Sequence, residues 1–168
     1  MSRLLSEKVQ AALDEQIKDE LYAAYLYLAM AGYFKGLNLD GFAHWFDLQR
    51  QEETNHGLKI FEYIYDRGGK VDLKPLSGPP ASFQSPLDVA QQAFDHEREV
   101  TEKINDLYEL SLAEKDYQTQ SLLQWFINEQ IEEEKSALVI VERLKMVGDE
   151  MAALFMLDRE MGARTNAE

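Results

Sequence analysis

The chain has 168 residues, 45% hydrophobic and 29% charged, with 31 acidic against 17 basic side chains and a formal net charge of −14. That length suits one domain with a real core. The acidic excess argues against a nucleic-acid partner, whose phosphates call for Lys and Arg, and makes cations the more natural ligands. The chain has no cysteine, which excludes disulfides, thiolate metal sites, iron–sulfur clusters and Cys nucleophiles. It also fits a reducing compartment. The start, M-S-R-L-L-S-E-K, lacks the apolar h-region of a secretory signal. The longest uncharged run, Leu21 to Phe34, is about 14 residues, short of the about 20 a membrane span needs. A cytoplasmic protein with no membrane association is expected.

With only 4 Pro and 9 Gly, long helices are possible, and the apolar period is helical almost throughout. The first helix is expected from about Ser6, a plausible N-cap, to about Lys35, and the turn Gly36-Leu37-Asn38-Leu39 follows. Asp40 is expected to cap a second helix that runs to about Arg67 and stops at Gly68-Gly69. The stretch KVDLKPLSGPPASFQSP holds all four prolines and reads as a long loop. Ser85-Pro86 is a helix start, a cap followed by Pro at the first helical position, and that helix runs to about Glu114. Asp116 caps a fourth helix, to about Val147, where Gly148 stops it. Asp149 is expected to cap a short fifth helix to about Met161. The expectation is an all-α, single-domain chain, a four-helix bundle with one long crossover loop plus a short C-terminal helix. The crossover can span the bundle, so the third helix can start at either end.

Polar residues interrupt the apolar stripe of each long helix. In the second, Phe42, Trp45 and Phe46 give way to Gln49, Glu53 and His56 before Ile60 and Ile64 resume. In the first, Glu20 lies among Val9, Leu13, Ile17, Ala24, Tyr27/Leu28 and Ala31. In the third, Glu97 interrupts Leu87, Ala90, Phe94, Thr101, Ile104 and Tyr108. In the fourth, Gln130 and Glu133 interrupt Leu122, Phe126, Ala137, Ile140 and Leu144. One such residue alone reads as a snorkelling side chain or an i,i+3 surface pair. Four carboxylates facing one low-dielectric interior repel one another and are costly to desolvate, and no Lys or Arg lies on these stripes. Protonation would remove the charge; multivalent cations do so more directly. Two divalent metals balance four carboxylates with His56 and Gln130 neutral. An oxygen-rich, sulfur-free donor set suits iron or manganese. Two metals need a shared bridge, and Glu53 fits, because His56 one turn on can hold one metal while the carboxylate reaches both.

At these residues the sequence resembles the ferritin family, specifically its non-haem bacterial and archaeal type. The stretches that carry the resemblance are DEQIKDELYAAYLYL, QEETNH, HEREVTEKI and LLQWFINEQIEEEKSAL. Bundles of this family hold di-metal centres through inward glutamates and Glu-x-x-His pairs. The resemblance implies a ferroxidase centre with two irons per subunit. Glu20, Glu53 and His56 would bind the first iron and Glu53 would bridge. Glu97 and Glu133 would bind the second, with Gln130 beside them and Tyr27 adjacent. Glu52, Glu129 and Glu132 match a third, weaker iron site of some prokaryotic ferritins; their plainer reading is a solvated acidic face. Trp125 is a weaker redox candidate than Tyr27, and both are also ordinary core aromatics.

Two departures stand out. Where the symmetric di-iron pattern has a second Glu-x-x-His, this chain has Glu133-Glu134-Lys135-Ser136, which predicts weaker binding of the second metal. Thr54 follows Glu53 where haem-binding relatives carry methionine, so no haem is expected. The resemblance also implies a homo-oligomeric shell of about 24 subunits that takes up Fe(II), oxidises it with O2 or H2O2, and stores ferric mineral. The fifth helix, with MAALFML, would line a channel between subunits or cap its own bundle, and it argues against the smaller Dps-like relatives. Two rivals stand beside this reading. One is a rubrerythrin-like di-iron oxidase or peroxidase without storage. The other is an acidic helical interaction module, which does not account for four polar intrusions at matching depth.

Overall fold

A computed structural model describes residues 5–166. Residues 1–4, on which the no-signal expectation partly rests, lie outside the described part. Five helices follow in order: α1 Glu7–Gly36, α2 Asp40–Asp66, α3 Pro86–Ala113, α4 Tyr117–Val147 and α5 Met151–Gly162. No strand occurs among the described residues. A 30-residue helix such as α1 is about 45 Å long, and its interior fills only when equally long helices lie beside it. The close packing is α1 with α2 and α3 with α4, with α1 also against α3. By contrast α2 and α4 make no Cα approach within 8 Å among the described residues. Side chains span that wider gap.

Two hydrophobic clusters fill the bundle. One joins Met30 and Phe34 of α1 to Phe42 and Phe46 of α2, Val89 and Ala93 of α3, and Ile140 and Leu144 of α4. The other joins Val9 and Leu13 to Ile60 and Ile64, Ile104 and Leu107, and Leu123 and Phe126. The start of α3 therefore lies where α1 ends and α2 begins, and the crossover traverses the bundle lengthwise. Of the two ends open to α3 in the sequence, this is the one it takes. Polar anchors hold the crossover: Gln10 Nε2 donates to Lys70 O at 2.7 Å and Asp72 N donates to the buried Asp14 Oδ1 at 3.2 Å.

Local chemistry explains most helix ends. Ser6, Ser85 and Asp116 each accept a backbone N–H three residues on, from Val9, Asp88 and Thr119, the usual N-cap geometry. Gly148 sits at φ 53° and ends α4, a left-handed backbone that glycine adopts without strain. Two expected caps differ. Asp40 is the first residue of α2, preceded by Leu39 with no side-chain cap; it faces the helix dipole favourably but caps nothing. The acceptor comes from α5 instead, where Asp158 Oδ1 takes Phe42 N at 2.9 Å. Likewise α5 begins at Met151 after Glu150, without a side-chain cap, so Asp149 does not serve that role.

The buried face of α3 is turned slightly from the expected stripe. Val89, Ala90, Ala93, Glu97, Val100, Ile104 and Leu107 are buried, while Leu87 is exposed and Phe94 only partly buried. Small residues turned inward let backbones approach, and the bulky ones fill the flanks. On α1, Tyr27 rather than Leu28 is the inward residue.

The fifth helix covers the end of its own bundle. Leu157 and Met161 join the first cluster, while Met151, Phe155 and Met156 stay exposed. Docking depends on Gly41, where an added Cβ would lie 1.7 Å from Asp158 O. Backbone cannot yield there as a side-chain tip can. Gly41→Ala is therefore expected to undock α5 and remove the Asp158 cap, costing at least the about 1–3 kcal/mol of ordinary overpacking. Limited proteolysis and thermal melting read this out; wild-type protection of α5 in the variant would contradict the packing.

Candidate metal centre

Between the two clusters lies a polar layer to which all four long helices contribute. Glu20, Glu53, Glu97 and Glu133 are 1%, 2%, 1% and 6% exposed, so none escapes to water. His56, Gln130, Gln49 and Gln16 are buried with them. Glu20 sits on α1, Gln49, Glu53 and His56 on α2, Glu97 on α3, and Gln130 and Glu133 on α4. Because each helix is hydrophobic above and below its polar residue, helix packing alone sets the depth at which they meet.

Two trios that overlap at Glu53 lie at the centre of this layer. Ligand atoms of Glu20, Glu53 and His56 lie within 4.8 Å of one another, as do those of Glu53, Glu97 and Glu133. A cation with bonds of about 2.0–2.2 Å separates opposite ligands by about 4.0–4.4 Å, so each trio is compact enough to hold one ion. Glu53 belongs to both. His56 Nδ1 lies 3.4 Å from Glu53 Oε2 and 3.6 Å from Glu20 Oε2, and Glu20 Oε2 has no hydrogen-bond partner. An orphaned buried carboxylate oxygen facing an imidazole suits a cation between them.

Glutamine amides hold the other oxygens. Gln16 Nε2 donates to Glu20 Oε1 at 2.7 Å, and Gln49 Nε2 to Glu133 Oε2 at 2.7 Å. Gln130 Nε2 donates to Glu97 O at 3.1 Å, Glu97 Oε2 at 3.3 Å and Thr101 Oγ1 at 3.2 Å. Tyr27 donates its hydroxyl to Glu97 Oε1. Three of the four carboxyls are thus oriented by an amide, and Glu53, shared by both trios, is the one without. Gln16 and Gln49 do not belong to the expected ligand set. Gln49 shows in the sequence as a polar gap in the α2 stripe; Gln16 lies beside Ile17, off the expected apolar face.

Protons carry the layer's charge. Burial and the neighbouring Glu97 raise Glu53 well above the usual carboxylate range. Burial and Glu133 push Glu97 up to about 8. Burial also raises Glu133, opposed by the Gln49 amide. Burial would lower His56, but Glu20 and Glu53 raise it to about 11. Burial works against ionisation of Glu20 too, yet the His56 imidazole beside it holds its pKa below normal. Tyr27 is raised by burial and by the charge of Glu97. At neutral pH the metal-free layer is an imidazolium facing the Glu20 carboxylate, with protons on Glu53 and mostly on Glu97. The charge balance drawn from the sequence has His56 neutral; that state requires a bound cation.

Of the third acidic set, only Glu129 converges on the layer. Glu129 forms a trio with His56 and Glu133. Glu132 is exposed, and Glu52 Oε2 receives Arg164 Nη2 at 2.8 Å. No trio among the described residues contains Glu52 or Glu132. Trp125 packs edge-on against His56, centroids 5.4 Å apart, with Lys59 Nζ 4.2 Å above its ring. Thr54 turns its hydroxyl back to Arg50 O at 2.9 Å.

Known proteins share this architecture. The pattern of the ferritin-like domain family matches residues 10–147. A bacterial non-heme ferritin of Bacteroides fragilis is 40% identical over 161 residues, covering 96% of this chain and 100% of that protein. One from Staphylococcus aureus is 39% identical over 162 residues, covering 96% and 98%. The open pore ferritin of the hyperthermophilic archaeon Archaeoglobus fulgidus superposes with a TM-score of 0.95 at 44% identity, covering 97% and 99%. Among the described residues, no helix is long and apolar enough to cross a membrane.

The protons make the layer sensitive to pH. Groups with raised pKa hold protons in the folded state that the unfolded chain has released, so stability falls as pH rises. For Glu97 that window runs from its ordinary value near 4.5 to about 8, and for His56 from 6.5 to about 11. Metal-free protein is expected to melt lower at pH 8 than at pH 6. Divalent cation binding at pH 7 is expected to release protons, less so as pH rises past 8. Calorimetric titration in buffers of different ionisation enthalpy measures the release; none at pH 7 would sink this account. Separately, Gln130→Glu sets a carboxylate against Glu97 O and Oε2 and removes the donor. The metal-free variant should lose about 1–3 kcal/mol and recover it when a divalent cation is added; equal melting of variant and wild type without metal counts against the contact.

Proposed function

The chain belongs to the ferritin-like family, and from that premise we propose that it is an iron-storage protein whose buried trios form a two-iron ferroxidase centre. The observation that carries this reading is Glu53, shared by a cradle of two carboxyls and an imidazole and a cradle of three carboxyls, all buried. Fe(II) is the substrate. Glu20, Glu53 and His56 hold one ion, and Glu53, Glu97 and Glu133 the other, with Gln130 orienting Glu97. Anionic oxygen donors stabilise ferric over ferrous iron, which favours oxidation. Two ferrous ions each lose one electron. Dioxygen that accepts both, with two protons, becomes hydrogen peroxide; peroxide that accepts two electrons and two protons becomes two waters.

This chain's residues handle the protons. His56 and the raised carboxyls must shed theirs before they can bind iron, so metal entry and proton release are one event. Tyr27 is the better placed redox aromatic, because its hydroxyl already donates to Glu97 and can pass a proton there when an electron leaves. Trp125 is less suited, since the Lys59 ammonium over its ring opposes development of positive charge.

The oxidised iron is stored as ferric mineral inside a homo-oligomeric shell of about 24 subunits. The exposed apolar residues of α4 and α5, Met146, Met151, Phe155 and Met156, support assembly, since such patches mark interfaces. The acidic surface draws cations inward. Glu129, in a trio with His56 and Glu133, offers oxidised iron a first step out of the centre.

The deciding experiment is anaerobic loading with Fe(II) followed by oxygen, read by absorbance. Two irons per chain are expected to oxidise fast before slower uptake begins. Replacing Glu53 and His56 together by leucine leaves Glu20 without its imidazolium partner, free to take up a proton instead of staying a buried anion, and should abolish the fast phase in a shell that still assembles. Fast oxidation of two irons per chain in that variant would refute the assignment. A particle with an electron-dense core separates storage from a rubrerythrin-like oxidase.

A further inference from the structure

Two surface grooves reach inward as far as the amides of the polar layer. One, of about 450 Å³, runs between α3 and α4 and has Gln130 and Thr101 in its lining. The other, of about 510 Å³, lies between α1 and α3 and has Gln16 in its lining. Both glutamines are buried, so each stands at the inner end of its groove. From there Gln130 Nε2 donates to Glu97 Oε2 at 3.3 Å and Gln16 Nε2 to Glu20 Oε1 at 2.7 Å. In each groove, then, one amide side chain stands between the surface and a carboxyl of the layer.

The two grooves differ in chemistry. Between α1 and α3 the walls carry Glu15, Lys18, Asp19, Lys103 and Asp106. Between α3 and α4 they are built from Phe94, Ile104, Ile127, Ile131 and Leu138, and the two charged residues there, Glu134 and Lys135, have opposite signs. An ion gains nothing from such a wall: no net charge draws it in, and leaving water is costly. A small, neutral, apolar molecule does gain, because moving from water onto apolar surface is favourable. At the inner end Thr101 Oγ1 donates to Glu97 O at 3.0 Å and accepts from Gln130 Nε2 at 3.2 Å. That closure is a side chain held by hydrogen bonds from one amide nitrogen. It can swing aside while both helices stay in place.

We propose that the α3–α4 groove is the route by which dioxygen reaches the centre, with Gln130 as the shutter at its inner end. The inference rests on the two-iron reading of the centre and adds to it the path of the oxidant. Dioxygen arrives beside Glu97, on the side of the all-carboxyl cradle, and the ions do not share its route. Gln130 therefore has two tasks, to orient Glu97 and to close the groove. The sequence shows Gln130 and Thr101 only as polar breaks in two stripes; the groove that joins them depends on how α3 packs against α4.

Xenon is an apolar probe of this route. Crystals of the assembled, metal-free protein under xenon pressure are expected to hold the gas in the α3–α4 groove and not in the α1–α3 groove. Ile131→Trp adds bulk to the first groove at an exposed position and is expected to exclude xenon. Protein preloaded anaerobically with two Fe(II) per chain is then mixed with graded dioxygen, which separates access from chemistry. In Ile131→Trp the second-order rate constant for dioxygen is expected to fall severalfold. The rate at saturating dioxygen and the affinity for Zn(II), which binds such donors without redox chemistry, are expected to match wild type. Xenon absent from the wild-type groove overturns the proposal, as does a xenon-free variant that keeps the wild-type second-order constant. A slowed variant with weakened Zn(II) binding also overturns it, because the groove then serves the ions. Should Ile131→Trp still admit xenon, the double variant with Leu138→Trp, another exposed residue of the same groove, is read in its place. If wild type shows no fast oxidation of two irons per chain, the reading of the centre fails and this inference with it; a fast wild-type phase that the filled groove leaves untouched sinks the inference alone.

Discussion

Four carboxyl groups that share one dry layer cannot all be ionised without a compensating cation. Coulomb repulsion and lost hydration act together, and each buried ion carries a penalty of several kcal/mol. The metal-free bundle avoids it with protons, retained on Glu53 and Glu97 and gained by His56. Glu20 stays a carboxylate, because an imidazolium faces it. The layer is therefore a proton store that a bound divalent cation would empty. The same side chains that tolerate burial when protonated become a strong, anionic, oxygen-rich site once their protons leave.

The rest of the fold makes this tolerable. The clusters around Phe34 and Phe42 on one side and Ile60 and Ile104 on the other bracket the polar layer with apolar burial, worth roughly 25 cal/mol for each Å² removed from water. Ion pairs tie the helices at other levels: Arg67 with Asp116 at 2.9 Å joins the end of α2 to the start of α4, and Lys103 with Asp19 at 3.0 Å joins α3 to α1. The layer itself need not stabilise anything. Its glutamines set geometry, since each amide fixes the orientation of one carboxyl.

The helices and the long crossover are legible because helical period, Ser6, Ser85-Pro86 and Asp116 are local signals. The depth at which Glu20, Glu53, Glu97 and Glu133 meet is legible too, because each interrupts an otherwise apolar stripe near mid-helix. What escapes the sequence is pairwise and distant. Asp158 caps α2 across 116 residues, whereas local signals point to Asp40. Gln16 and Gln49 announce themselves only as polar residues; which carboxyl each holds depends on how α1, α2 and α4 pack. Protonation is likewise invisible, since His56 reaches about 11 only when Glu20 and Glu53 crowd it. The rotation of α3, which turns Ala93 and Val100 inward, lies below the angular resolution of an apolar stripe.

The two cradles are unequal, and the inequality has a direction. The first has a nitrogen donor and the orphaned Glu20 oxygen; the second has carboxyl oxygens alone, with Glu97 engaged by Tyr27 and Gln130 and Glu133 by Gln49. A cation in the second must compete with three hydrogen bonds and with protons, and Ser136 stands where a second histidine would have helped. The same cradle borders Glu129. On the proposed function, affinity would decrease from the Glu20 side toward the α2–α4 gap, where the helix backbones stand apart. A gradient of that sign would move an ion through the layer instead of trapping it, and a protein whose cargo had to leave its oxidation site would need that asymmetry more than two equally strong sites.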